Sequence, residues 1–118
     1  MALDDSDAMK MYVREVSAIP PLTKEEEARL FQEMKELGKR GEIAERQLLE
    51  SRLHLVLPIA DKYASRGISM LELIQEGNLG LMQALKECRN VQVDDFSAFA
   101  TSHIEGAISA AIAKTRPQ

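Results

Sequence analysis

The side chains able to do covalent or metal chemistry are few, and their spacing points away from it. His54 and His103 have no Cys or His partner at the intervals a metal site uses. The carboxylate runs Glu25-Glu26-Glu27 and Asp94-Asp95 stand at predicted helix starts, where the helix dipole favours negative charge, so they read as capping residues. Gly77-Asn78-Leu79-Gly80 falls inside a helical pattern and not between a strand and a helix, so it is no phosphate loop. No serine sits in a nucleophile-elbow setting. These absences imply a protein that is not an enzyme and that needs neither metal nor cofactor. The chemistry left is non-covalent: Leu71, Glu72, Gln75, Glu76, Asn78, Leu79 and Met82 combine apolar groups, uncharged amides and carboxylates within twelve positions.

Placed on a helix at roughly 100° per residue, this stretch has two apolar sectors where a surface helix usually has one. Met70, Leu73, Ile74, Leu81, Ala84, Leu85 and Cys88 gather on one side with Gly77 and Gly80, which is the stripe a core takes. Leu71, Leu79 and Met82 lie well off that stripe, among Glu72, Gln75, Glu76, Asn78 and Gln83. Desolvatable area mixed with directional hydrogen-bonding groups is what a docking surface needs. Scattered exposed apolar residues, common on any surface, would give the same pattern.

The elements that must position this strip all read as helix. A chain of 118 residues with 45% hydrophobic, 29% charged and only 4% aromatic residues is globular, with a core of Leu, Ile, Met and Ala. Such a core suits helices better than sheets. One cysteine forms no internal disulfide, and the pattern shows no signal peptide or membrane span, so the cytoplasm is the expected compartment. Cys88 reads as a core thiol. Fifteen basic against nineteen acidic residues give a net charge of −4, which disfavours strong non-specific nucleic-acid binding. Lys35, Lys39, Arg40 and Arg46 are interleaved with Glu33, Glu36, Glu42 and Glu45 and read as a solvated, mixed-sign face.

An all-α, bundle-like domain of about five helices follows, with one core spanning residues 1–118: a two-helix segment over 1–41 and a three-helix segment over 42–118. Asp4 to Ser6 caps a first helix that Pro20-Pro21 prevents from extending beyond about Ala18. Thr23 and Glu26 form a capping box for a second helix to about Gly38, with Leu30, Phe31, Met34 and Leu37 inward and a turn over Gly38-Lys39-Arg40-Gly41. The third runs from about Glu42 to Ser65, with a seam of Leu49, Leu53, Val56, Ala60 and Tyr63 and a second apolar side of Leu48, Leu55 and Ile59. Pro58 should kink it, His54 should be packed or hydrogen-bonded, and Gly67 should cap it in the left-handed region. Ser69-Met70-Leu71-Glu72 is another capping box and starts the fourth helix. Asp94 or Asp95 caps the fifth, which turns Ala100, Ile104, Ala107, Ile108, Ala111 and Ile112 inward.

Four segments in order carry a family resemblance: DAMKMYVREVSAIPPLT (7–23), ESRLHLVLPIADKYASR (50–66), LELIQEGNLGLMQAL (71–85) and FSAFATSHIEGAI (96–108). Together they resemble the clamp-binding and promoter-melting portion of housekeeping-type bacterial sigma factors, the sigma-seventy family. The resemblance implies that the fourth helix docks on the coiled coil of the RNA polymerase largest-subunit clamp. The positions it carries over are Leu71, Glu72, Gln75, Glu76, Asn78 and Met82, which coincide with the off-core strip.

The last helix departs from the family pattern in one direction. The resemblance implies DNA-facing roles at Arg14, Asp94, Asp95, Phe96, Phe99, Ser102, His103, Glu105 and Gly106. At Asp94 an aromatic is usual and at Asp95 a basic residue; tandem tryptophans are replaced by Ser102 and His103, and an Arg-Gln pair by Glu105 and Gly106. Carboxylates repel phosphates, and each stacked base lost forfeits about 1–3 kcal/mol, so binding to promoter DNA should be weak or absent. Phe96 and Phe99 keep the family's aromatic character, and by spacing they could equally plug the core beneath the helix. Pro58 replaces a small polar residue, so a bend there would alter the angle of the clamp-facing helix. Three roles stay open: an initiation factor with weakened melting, a polymerase-binding competitor of sigma factors that opens no DNA, and a helical module held by an anti-sigma-type protein.

Overall fold

Six α-helices carry the chain in the computed structural model, which describes residues 5–64 and 67–115: α1 (Asp5–Ala18), α2 (Lys24–Met34), α3 (Lys39–Arg52), α4 (Val56–Lys62), α5 (Met70–Glu87) and α6 (Phe96–Thr115). These are the five expected helices with the third divided in two. Asp4, the first of the residues expected to cap α1, lies outside the described residues, and the helix expected to reach about Ser65 ends at Lys62.

Local sequence sets most of the ends. Thr23 Oγ1 accepts from Glu26 N at 3.1 Å while Thr23 N donates to Glu26 Oε1 at 2.9 Å, closing the predicted box. The backbone and then the side chain of Thr23 hold the Glu26 carboxyl below its ordinary pKa. At the start of α5 half of the expected capping box forms: Ser69 Oγ accepts from Glu72 N at 3.2 Å. Of the two candidate caps for α6, Asp95 fills the role: its Oδ1 accepts from Ala98 N at 3.1 Å.

Three boundaries differ from the expectation. α2 stops at Met34, four residues early, so Leu37 falls beyond the helix and is 95% exposed instead of facing inward. Gly38, at φ 88°, is the N-cap of α3, which begins at Lys39 and not at Glu42. Gly41 therefore sits inside the first turn of α3 instead of closing a loop. There a Cβ would lie 1.9 Å from the Glu36 carbonyl oxygen, so backbone packs on backbone. Gly67, at φ 86°, is left-handed as predicted, but α4 has already ended at Lys62, and the glycine serves the approach to α5.

The predicted interruption at Pro58 is present one turn upstream, as a 3₁₀ turn over Leu53–Leu55 between α3 and α4. Proline has no N–H to donate to the His54 carbonyl, and its ring crowds that oxygen. The tighter winding leaves His54 exposed, contrary to the packed position expected for it. It also shifts the seam: Leu48, Val56, Ile59 and Ala60 are buried, whereas Leu49, Leu53, Leu55 and Tyr63 are only partly so.

α5 is the central rod. Leu73, Ile74, Gly77, Gly80, Leu81, Ala84 and Leu85 are buried along it, and Cys88 follows at its C-cap. Burial, then the neighbouring Glu87, pushes the Cys88 thiol above its ordinary pKa. Ala100, Ile104, Ile108, Ala111 and Ile112 of α6 are buried as predicted, with Ala107 half-buried. Two glycines let α5 come this close. A Cβ at Gly77 would stand 2.6 Å from Val56 Cγ1, and one at Gly80 would stand 2.5 Å from the His103 carbonyl oxygen. On the surface, Arg40 pairs with Glu33 at 3.4 Å and Glu36 at 3.3 Å, giving the mixed-sign face the expected character.

The glycines give an opposed pair of expectations for thermal denaturation. Gly80→Ala drives a methyl into backbone that cannot yield, so it should destabilise by about 1–3 kcal/mol, lowering Tm by about 4 °C per kcal/mol. Gly106→Ala places its methyl in open space on a helix, and should stabilise by about 0.5–1 kcal/mol through backbone entropy. Equal shifts of the same sign would contradict the packing described.

Candidate functional site

Burying one stripe of α5 leaves the opposite face outward, and the strip lies there. Glu72, Gln75, Leu79 and Gln83 are exposed; Leu71, Glu76, Asn78 and Met82 are half-buried. Leu79 is 56% exposed, although Gly80 and Leu81 beside it are buried. The structure thus brings together on one face all seven residues singled out from spacing and resemblance.

Neighbouring helices flank the strip. On one side a shallow hollow runs from Glu72, Gln75 and Glu76 to Ala111 and Lys114 of α6. On the other, Met82 opens onto Glu42, Arg46 and Leu49 of α3. Carboxylates, a methionine and exposed amides share this surface. It can exclude water over apolar area while offering hydrogen bonds and charge at its rim.

Asn78 has a partner that sequence reasoning missed. Its Nδ2 donates to the Tyr12 hydroxyl of α1 at 3.1 Å, across 66 positions of chain. Its Oδ1 is buried and has no hydrogen-bond partner among the described residues. No periodicity or motif links positions so distant, so the signal was not in the sequence.

Of the residues given DNA-facing roles by resemblance, Ser102, His103 and Gly106 line one shallow hollow with Leu79 and Gln83, and the others lie apart from it. Phe96 is a core residue, 8% exposed and set edge-on to Phe31 at 5.4 Å between centroids, with the Arg52 guanidinium 6.0 Å from its ring centre. Of its two readings, the core plug is the one the structure takes. Phe99 is half-buried, 4.5 Å from the His103 ring. His103 places Nε2 2.6 Å from Glu87 Oε2 and Nδ1 3.1 Å from the Phe99 carbonyl. Glu105 pairs with Lys62 at 3.3 Å. Asp95 is spent on the helix cap; Arg14, Asp94, Ser102 and Gly106 are exposed. Among the described residues no cluster of His, Cys, Asp and Glu can hold a metal ion, and no helix is long and apolar enough to cross a membrane.

An all-α chain with these four segments in this order has close counterparts among known proteins. Residues 7–40 match sigma-70 factor region 1.2 and residues 48–117 match sigma-70 region 2, and the chain therefore belongs to the sigma-70 family. It is 39% identical over 107 residues to RNA polymerase sigma factor SigA of Lactococcus lactis subsp. lactis, covering 91% of this chain and 28% of that protein. To RNA polymerase sigma factor SigA of Clostridium acetobutylicum it is 42% identical over 113 residues, 96% of this chain and 29% of the relative. The chain thus spans less than a third of the length of these relatives.

Proposed function

We propose that the chain is a sigma-type domain that docks on RNA polymerase through the outward face of α5, gripping the coiled coil of the largest-subunit clamp. The observation that carries this reading is the strip itself: seven residues fit for docking share the one face of α5 that the core leaves uncovered. The names of the relatives, RNA polymerase sigma factors, supply the partner. Leu71, Leu79 and Met82 bury against the coiled coil, Gln75 and Asn78 hydrogen-bond across, and Glu72 and Glu76 meet basic side chains.

On the same reading the promoter-facing side is weakened. Phe96 is withdrawn into the core, Glu105 brings a carboxylate that Lys62 already pairs, and Asp94 adds another exposed negative charge. These observations favour a second role beside initiation: occupying the clamp without opening DNA, and so excluding other sigma factors.

A binding titration with an isolated clamp coiled-coil fragment tests the docking. Wild type should bind, and Gln75→Ala with Met82→Ala should weaken binding by about tenfold or more, since central interface residues carry most of the energy. No wild-type binding, or undiminished binding by the double variant, rejects it. For DNA, fluorescence anisotropy with a single-stranded promoter element should give affinity no tighter than the non-specific range of about 10⁻⁶–10⁻⁴ M at physiological salt. Tight, sequence-selective binding would overturn the weakened-melting reading.

A further inference from the structure

We propose that Tyr12 of α1 is a positioning residue for the docking face: its hydroxyl tethers the side-chain amide of Asn78 and so sets where on that face the amide stands. This inference rests on the docking role of α5 proposed above. The geometry behind it is the 3.1 Å hydrogen bond from Asn78 Nδ2 to Tyr12 Oη, together with the burial of Asn78 Oδ1 without a partner.

An asparagine amide offers one acceptor oxygen and two N–H donors, and on an open face it turns freely between presenting either. Here it does not. Tyr12 takes one N–H, and the oxygen is turned inward where water does not reach it. A tyrosine hydroxyl both donates and accepts, so its part is to hold the amide in place and not to choose which end of it faces outward. With one N–H bound to Tyr12 and the oxygen buried, the side chain is tethered on the face at a set position. Tyr12 is itself held: it is half-buried and packs on the core with Met9, and α1 is anchored one turn further on by Val16, which is 6% exposed. Its neighbours Met11 and Val13 are exposed, so α1 sits on the domain by this one narrow face.

The test is a double-mutant cycle read by titration against the clamp coiled-coil fragment. Tyr12→Phe keeps the ring and removes only the hydroxyl, so Tm should stay close to wild type. Its affinity should fall about three- to tenfold, the scale of one oriented hydrogen bond. In an Asn78→Ala background the same substitution should change affinity less than twofold, because no amide remains to tether. The side-chain amide resonances of Asn78 should also lose their hydrogen-bonded shift in Tyr12→Phe. Affinity unchanged or tightened by Tyr12→Phe, or an equal loss in both backgrounds, overturns the positioning role while leaving the docking role standing. Failure of the wild-type chain to bind the fragment sinks both.

Discussion

Everything about the outward strip depends on how closely α5 can approach α6 and α4. Gly77 and Gly80 carry no side chain where a single methyl would meet Val56 or the His103 backbone. With those contacts made, Leu73, Ile74, Leu81, Ala84 and Leu85 have only one direction to point. The rotation of α5 about its axis is thereby fixed to within the tolerance of core packing, which resists even one added methylene. The face opposite is left to water or to a partner.

The two ends of the chain's polarity work differently across this frame. On α5 the polar and apolar groups outside the core are interspersed and mostly uncommitted. On α6 they are largely committed to the protein itself: Asp95 to a helix cap, Glu105 to Lys62, His103 to Glu87 and to the backbone. A charged group already paired within its own domain, as Glu105 is with Lys62, gives up that pairing to meet another ion, and this raises the cost of a second contact. That asymmetry, more than net charge, is what the proposed docking through α5 rests on.

Periodicity made the α5 strip and the inward set of α6 legible, since both rest on a 3.6-residue repeat sustained over eighteen or more residues. The capping box at Thr23 and the cap at Asp95 were legible because capping chemistry is local. What failed was non-local or depended on exact winding. The early end of α2 exposes Leu37 because Gly41 allows a backbone contact that only three dimensions reveal. The 3₁₀ turn before Pro58 rotated the seam by one position, from Leu49 to Leu48, and turned His54 to solvent. The Tyr12–Asn78 bond joins two helices with three others between them in sequence. Spacing and resemblance leave Phe96 between a DNA-facing role and a core plug, and its burial and edge-on contact with Phe31 come only with the fold.

The central claim is that the uncovered side of α5 is where the chain is held by its partner. An ¹⁵N-resolved NMR titration of the domain with the clamp coiled-coil fragment addresses it residue by residue. The account predicts that the largest perturbations fall on Leu71, Gln75, Asn78, Leu79 and Met82, with the buried stripe of α5 and the outer side of α6 little changed. Perturbations gathered on α2 or along α6, with those five residues unmoved, would contradict it.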